Sequence, residues 1–186
     1  GVHDWRGLFA KNDRNPETRV DNYKEWGRLG GWTSSSGRGW ANLSNAPFRM
    51  YKRYTHEGGV ATPLIVHWPA GLKSQGELRH APSHIIDIAP TCLSVAGLSV
   101  KGMAGKSLLP VFVRDSKEER TLYWEHEGNR AVRKGNYKLV AMHDAPWELY
   151  DMNKDRSELN DLSKKMMGKA KELRLLYEAW AKRVGA

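Results

Sequence analysis

The 186-residue sequence contains a single cysteine, Cys92. One thiol excludes an internal disulfide framework and any zinc site built from several cysteines. No run of 18 or more apolar residues is present, so the sequence predicts no membrane-spanning helix. No basic start followed by an apolar segment marks a signal peptide. Walker loops, Gly-rich dinucleotide motifs and G-x-S-x-G nucleophile elbows are also missing, which leaves nucleotide binding and the usual serine-hydrolase chemistry without their signatures.

The charge is basic but dispersed. There are 30 lysines and arginines against 21 aspartates and glutamates, a formal net charge of +9. Nucleic-acid-binding domains usually concentrate such an excess on one arm, helix or face. Here both ends of the sequence carry it and no segment forms a basic block, so we expect no nucleic-acid partner. A basic, non-catalytic module that binds sulfated polysaccharide stays open as an alternative function.

The middle of the sequence has the pattern of an α/β fold. A short apolar run at residues 64–68, bounded by prolines, predicts a strand buried on both faces as in a parallel sheet, with His67 in the core. Asp87 is expected to cap a helix that buries Cys92 on its apolar stripe and ends at Gly97. One parallel-type strand needs neighbours that this sequence does not offer. We therefore expect the strand at 64–68 to expose an edge to a companion polypeptide or to a second copy in a dimer.

From residue 120 the pattern changes to that of a small antiparallel sheet. Strands are predicted around residues 122–126, 137–142 and 147–150, with a hairpin turn at residues 134–136. A terminal amphipathic helix, capped by Ser163, follows; its apolar face comprises Met166, Ala170, Leu173, Tyr177, Trp180 and Val184. The predicted fold class is an α/β fragment followed by an antiparallel sheet packed by a C-terminal helix. The predicted domains are residues 1–119 and 120–186, and residues 1–50 are expected to be irregular.

The densest cluster of functional residue types precedes the strand predicted at residues 64–68. Arg49, Lys52, Arg53 and His56 stand before a Glu57-Gly58-Gly59 turn. In α/β sheets, ligands gather where loops meet strand ends. Cations at that place suit a compact anion such as sulfate or phosphate, although a solvated basic loop would have the same pattern.

This part of the sequence resembles the type I sulfatases, the arylsulfatase-like branch of the alkaline-phosphatase superfamily. The motifs that carry the resemblance start with Asn45-Ala46-Pro47-Phe48-Arg49, Lys52 and His56-Glu57-Gly58-Gly59. Further motifs lie at residues 62–71, 78–80, 86–91, 105–108, 123–133, 147–151 and 155–162. The resemblance as a whole runs from about Trp32 to the end of the sequence.

The resemblance implies an alkaline-phosphatase-like fold and the hydrolysis of sulfate esters to an alcohol and sulfate. In that family the nucleophile is a formylglycine made from Cys or Ser in a C-x-[PA]-x-R motif, with calcium bound beside it. Lys52 holds the position of the lysine that binds the sulfate. Candidates for the wall of the substrate site are His56, His126, Asn129 and Arg130. The same resemblance implies an exported protein, periplasmic or extracellular.

Two departures from the family pattern limit what this sequence can do alone. Cys92 is not followed by the Pro or Ala and the Arg of the motif, and Phe48 stands at the Arg position after Ser44. The family's aspartate and asparagine metal ligands are also missing. We therefore expect this chain to be the C-terminal part of a sulfatase, with formylglycine and calcium in the N-terminal part and no metal of its own. Aryl sulfates and sulfated sugars both remain open as substrates, and a phosphonate or phosphodiester hydrolase of the same superfamily is the alternative enzyme.

Overall fold

A computed structural model describes residues 37–73, 76–116 and 118–186. Contacts divide the chain into two units: Pro63–Leu122 forms one, and the described residues before Pro63 join Tyr123–Ala186 in the other. The predicted domain boundary after residue 119 concerns the organisation of the whole protein and stays a prediction. Helices are α1 Gly37–Ser44, α2 Glu57–Val60, a 3₁₀ turn Ile85–Asp87, α3 Ile88–Val95, α4 Leu109–Val113 and α5 Met167–Val184.

Four strands form the sheet of the larger unit. They are β1 Thr121–His126, β2 Asn129–Lys134, β3 Tyr137–Ala141 and β4 Glu148–Asp151, in the order β1-β2-β3-β4. β3 pairs antiparallel with both of its neighbours. The β1–β2 turn is Glu127-Gly128, with φ of 51° and 80°, the positive values that a tight hairpin turn requires. The predicted meander of short strands is confirmed.

Helix α5 covers one face of this sheet. The buried core between them is built from Val132, Leu139, Leu149, Leu173, Tyr177 and Ala181. The helix ends at Gly185, which adopts the left-handed φ of 77° that favours glycine after a helix. Ser163 does not cap α5, since the helix begins four residues later and the Ser163 hydroxyl donates to Asp161 at 2.8 Å. The predicted packing of sheet and terminal helix is confirmed, and the predicted cap is wrong.

The opposite face of the sheet has a second, smaller core. It contains Ala131, Val140, Tyr150 and Met152, with Trp124 packed against them. Because side chains alternate between the two faces along a strand, Asn129 and Lys138 lie on this face with Ala131 and Val140. The segment between Arg49 and Glu57 packs here, and we call this side the loop face.

In the smaller unit, the apolar run at residues 64–68 is not a buried strand. Its backbone pairs with no strand among the described residues, Ile65 is 89% exposed, and His67 is also exposed. The reason is that a strand needs a neighbour to pair with, and no strand among the described residues of this unit pairs with the run. The predicted buried strand and the buried environment expected for His67 are therefore wrong, because the run is exposed and has no strand pairing among the described residues.

Asp87 takes a different role from the predicted helix cap. Its buried carboxylate accepts from the backbone N–H groups of His84 and Lys106, at 2.8 and 2.9 Å, and pairs with Arg120 at 2.6 and 2.9 Å. It therefore joins three segments of the smaller unit instead of capping α3. Gly97 follows α3 with φ of 71° and ends it as predicted, but Cys92 is exposed, so the prediction that α3 buries it is wrong for the described residues.

Helix α1 corrects the prediction that residues 1–50 are irregular. The run Gly37–Ser44 is helical, although a glycine-rich start gave it little helical propensity. For residues 1–36 the same prediction lies outside the described residues.

Candidate functional site

The predicted sulfate-binding lysine lies on a loop that presents it to solvent. Lys52 is exposed, and its ammonium group forms no hydrogen bond or ion pair with the residues that the structure describes. Met50 and Arg53, on either side, have φ of 66° and 94°. Non-glycine residues in this region cost about 1–3 kcal/mol each and persist where surrounding contacts fix them. The loop is therefore held by its environment.

Part of that environment is the close approach of Glu57-Gly58-Gly59, which the sequence predicts as a turn and which forms the single helical turn α2. Gly58 donates its N–H to the carbonyl of Arg49 at 2.9 Å. A Cβ atom at Gly58 would collide with the backbone carbonyls of Arg49 and Met50, and one at Gly59 with that of Tyr54. Both glycines are needed because the turn packs directly against the backbone of the Lys52 loop.

The Gly58→Ala variant is expected to be strongly destabilised, by about 2 kcal/mol or more, because a rigid backbone must move to admit the methyl group. Gly168→Ala is the matched control: nothing lies within 4 Å of its added Cβ in α5, so alanine should be neutral or stabilising there. Thermal unfolding of the two variants checks this. Equal midpoints would show that the turn is free to relax.

Glu148 of β4 holds the start of the loop. Arg49 donates to its two carboxylate oxygens at 3.2 and 3.4 Å, and to the hydroxyl of Tyr150 at 2.8 Å. Nε2 of the fully buried His56 lies 3.1 Å from Glu148 Oε2, and Tyr150 donates to the same oxygen at 2.7 Å. One carboxylate thus gathers Arg49, His56 and Tyr150 on the loop face of the sheet.

These contacts set the ionisation of Glu148. Burial by itself would raise the pKa of its carboxyl, but the hydrogen bonds from His56, Tyr150 and Arg49 outweigh burial and lower this pKa to about 2. Burial and the neighbouring carboxylate together raise the pKa of the Tyr150 hydroxyl. The ionised form of Glu148 is therefore the form that the fold stabilises.

The contribution of Glu148 to stability is expected to be complete above pH 5 and to be lost as the pH falls towards 2. The sign follows from its lowered pKa, since the unfolded chain takes up a proton near pH 4.3 that the folded chain still excludes. The Glu148→Gln variant should show a shallower loss of stability over that range than the wild type. Glu178→Gln, at an exposed pair with Arg174 on α5, should keep the wild-type slope. Identical slopes for all three proteins would contradict this account.

A second ionic cluster fixes the other end of the loop. Nζ of Lys138, which is 0% exposed, lies 2.9 Å from carboxylate oxygens of both Glu57 and Glu158. The other oxygen of Glu158 accepts the backbone N–H of Glu57 at 2.8 Å, and Arg156 lies 3.4 Å from Glu57. Burial would raise the pKa of Glu57, but Lys138 lowers it. We call the Glu148 and Lys138 clusters together the clamp.

The clamp was not foreseen from the sequence. Lys138 stands inside an apolar strand, and its partners are 81 and 20 residues away in the chain. The one signal available was a lysine at a position whose neighbours on the same face are apolar, because a buried lysine requires a paired carboxylate. The sequence does not identify that carboxylate.

The four candidates for the substrate wall differ in burial and in the face of the sheet on which they lie. His56 and Asn129 are 0% and 3% exposed, whereas His126 is exposed at the end of β1. The Asn129 amide donates to the carbonyls of His126 and Arg53, at 3.0 and 3.4 Å. The structure thus brings His126 to the Lys52 loop through Asn129.

Arg130 is not brought to that loop by its side-chain contacts. Its guanidinium lies 4.8 Å from the ring centroid of Trp147 and donates to the carbonyl of Ala145 at 3.4 Å. Trp147 in turn packs against Tyr177 of α5. Alternation along β2 places Arg130 on the helix side of the sheet, opposite Asn129.

A metal ion does not fit the part of the chain that the structure describes. No three His, Cys, Asp or Glu side chains among those residues are close enough to share an ion. The carboxylates of the clamp already bind lysine and arginine, which leaves them no free charge for a cation.

Among the described residues, no helix has the length and apolar character to cross a membrane.

Comparison with known proteins gives consistent matches. Residues 48–177 match the family model described as N-sulphoglucosamine sulphohydrolase, C-terminal. An uncharacterized sulfatase of Schizosaccharomyces pombe is 32% identical over 160 residues, covering 75% of this chain and 29% of that protein. N-acetylglucosamine-6-O-sulfatase of Bacteroides thetaiotaomicron is 32% identical over 145 residues, covering 68% of this chain and 26% of that protein.

Among solved structures, that of Ps i-CgsB aligns with a TM-score of 0.63 and 26% identity, over 73% of this chain and 32% of that one. The same protein has been solved with k-i-k-neocarrahexaose bound. The chain therefore spans roughly 30% of the length of the proteins it matches. With the antiparallel sheet and its helix, this likeness confirms the predicted fold class.

Proposed function

The chain belongs to the sulfatase family whose model is the C-terminal part of N-sulphoglucosamine sulphohydrolase, and from this premise we propose that the whole protein hydrolyses sulfate esters. In it, this chain supplies Lys52 to bind the sulfate group. The observation that carries the proposal is the Lys52 loop. It presents an exposed ammonium group on a backbone fixed by two ionic clusters, the partly buried one around Glu148 and the buried one around Lys138.

Such a lysine suits sulfuryl transfer. The S–O bond to the leaving alcohol breaks in the transition state, and negative charge gathers on the bridging and peripheral oxygens. A fixed cation beside those oxygens lowers the barrier, provided that it is in place before the reaction begins. A compact, exposed ammonium on a rigid loop meets this requirement. The clamp supplies part of this rigidity, because it ties both ends of the loop to the sheet.

We assign the remaining candidates by their placement. His126 is exposed beside the Lys52 loop and is proposed to contact the leaving alcohol. His56 and Asn129 are buried and are proposed to support the loop. Arg130, on the helix side of the sheet, is proposed to support the wall from behind through its contact with Trp147.

The nucleophile and the metal are proposed to belong to the N-terminal part of the protein. A formylglycine there would attack sulfur, and calcium would supply charge to the sulfate oxygens. Neither fits the described residues of this chain, so the role proposed here for Lys52 and His126 is limited to binding sulfate and the leaving alcohol.

The proposed substrate is a sulfated sugar. Its support is the name of the Bacteroides relative, N-acetylglucosamine-6-O-sulfatase, and the carbohydrate bound to Ps i-CgsB. The side chains around the Lys52 loop are also polar: Arg53 pairs with Glu127, and Nδ1 of His143 lies 3.1 Å from Asp144. A polar rim of this kind suits a hydroxylated ring better than an aryl group. The family match favours a sulfate ester over the phosphonate or phosphodiester alternative.

The exposed run at residues 64–68 is proposed to pair with the N-terminal part of the same protein. Leu64 and Ile65 are exposed, the backbone has no partner strand among the described residues, and the relatives are about three times as long as this chain. A structure of the full-length protein in which this run stays exposed, or pairs with a second copy, would contradict the proposal.

The protein is also proposed to be exported, to the periplasm or to the outside of the cell.

The proposed activity is tested by sulfate release from the full-length protein. Glucosamine 6-sulfate, 4-nitrophenyl sulfate and 4-nitrophenyl phosphate are compared at equal concentration. The expected order of kcat/KM is sugar sulfate, aryl sulfate, then phosphate. Faster release of phosphate than of sulfate from the nitrophenyl pair would favour the phosphoryl alternative. No release from any of the three would overturn the sulfatase proposal for these ester classes.

A further inference from the structure

The side-chain amide of Asn129 joins three segments that each carry a basic side chain. Its Nδ2 donates to the carbonyl of Arg53, next to Lys52, and to that of His126. Its Oδ1 accepts the backbone N–H of His143 at 3.3 Å. All of this occurs at a residue that is 3% exposed, so water does not compete for these bonds.

The clamp alone does not fix this region. It ties residues 49, 56 and 57 to the sheet, whereas Arg53 is where the backbone takes its most unusual angle, φ of 94°. The Arg53 carbonyl is bound by Asn129, and its guanidinium pairs with Glu127 of the β1–β2 turn. Asn129 is therefore a buried contact that holds the exposed half of the loop, the half that carries Lys52.

The neighbouring turn has the same tight fit. A Cβ at Gly128 would collide with the ring of His143, so the hairpin turn and the segment before β4 are in direct contact. The His143 side chain is itself 64% exposed. The structure places it at the same junction as Lys52 and His126.

We propose that Asn129 is the positioning residue of the sulfate-ester site. Its one amide sets the mutual placement of Lys52, His126 and His143, and Asn129 itself does not touch substrate. This inference rests on the proposed function for its catalytic consequence, but the structural part of it stands on the hydrogen bonds alone.

The first experiment measures hydrogen exchange in the full-length protein and its Asn129→Asp variant. Aspartate keeps the size of the side chain and an acceptor for His143, but it cannot donate to the two carbonyls. We expect exchange in peptides covering residues 50–55 and 126–128 to become at least tenfold faster, with α5 unchanged. Asn160→Asp, at an exposed amide, is the control and should match the wild type. Unchanged exchange in Asn129→Asp would overturn the positioning role, whether or not the protein is a sulfatase.

The second experiment is a double-mutant cycle on kcat/KM for sulfate release. Asn129→Asp is expected to lower kcat/KM by about 10- to 100-fold, because a displacement near 1 Å costs up to that much. In the Lys52→Ala background the same change should cost at least fivefold less, since the group it positions is gone. Equal losses in both backgrounds would show a general structural role. An inactive wild type would sink the proposed function and leave the exchange result to decide the role of Asn129.

Discussion

Replacement of Lys52 by alanine in the full-length protein is expected to lower kcat/KM for sulfate-ester hydrolysis by about 10²- to 10³-fold. That is the usual cost of removing one preorganised charge-stabilising group from a transition state. The loss should appear in kcat as well as in KM, because charge on the sulfate oxygens grows during the reaction. Stability should not change, since the Lys52 side chain is exposed and forms no ion pair with the described residues.

Two further variants make the result specific to position 52. Lys154→Ala removes an exposed lysine that lies 3.9 Å from Asp151, and it should leave kcat/KM within about twofold of the wild type. Lys52→Arg keeps the charge but offers a planar fork in place of a compact ammonium, so we expect partial activity. Full activity in Lys52→Ala would remove the lysine from the sulfate site.

Replacement of Lys138 by methionine is expected to have the largest effect on stability, a loss of about 3–5 kcal/mol in the free energy of unfolding. The change keeps an unbranched side chain, one atom shorter than lysine, and leaves two buried carboxylates, Glu57 and Glu158, without their cation. Breaking a buried ion pair on one side is costly because an uncompensated charge stays in a medium of low polarity. Chemical denaturation of the variant measures the loss.

The control for this prediction is a lysine variant on the neighbouring strand β2. Lys134→Met breaks a half-exposed pair with Glu172 at 3.0 Å, and exposed pairs contribute about 0–1 kcal/mol. The triple variant Lys138→Met, Glu57→Gln, Glu158→Gln should recover much of the lost stability, because no buried charge remains. A loss in the triple variant as large as in Lys138→Met would show that shape, and not charge, makes Lys138 necessary.

The parts of the fold that could be predicted from the sequence are those whose partners are close in the chain. The strands after residue 120 follow one another through short turns, and α5 lies directly after them. An apolar pattern with a period of two and then of 3.6 residues is therefore sufficient to predict the strands and the helix. The run at residues 64–68 has equally clear apolar character, but no strand among the described residues pairs with it, and a strand cannot form without a neighbour. Cys92 was likewise expected to be buried and is exposed.

The site divides in a similar way. Lys52 could be proposed as the sulfate-binding lysine because a motif marks its position. The close approach at Glu57-Gly58-Gly59 could be predicted because glycines permit it. Glu148, Lys138 and Glu158 could not, because they meet the loop only through contacts about 80 to 110 residues apart in sequence. Asn129 is predicted from the sequence to line the substrate site, and that role stays a prediction. Its burial and its hydrogen bonds to backbone groups could not be predicted from the sequence.

The most direct test of the account is a crystal structure of the full-length protein with inorganic sulfate bound. We predict that Nζ of Lys52 lies within about 3.2 Å of a sulfate oxygen, with the loop held by Glu148 and Lys138 as described here. A sulfate bound in a catalytic pocket formed by other residues, with Lys52 directed away into solvent, would contradict the central claim.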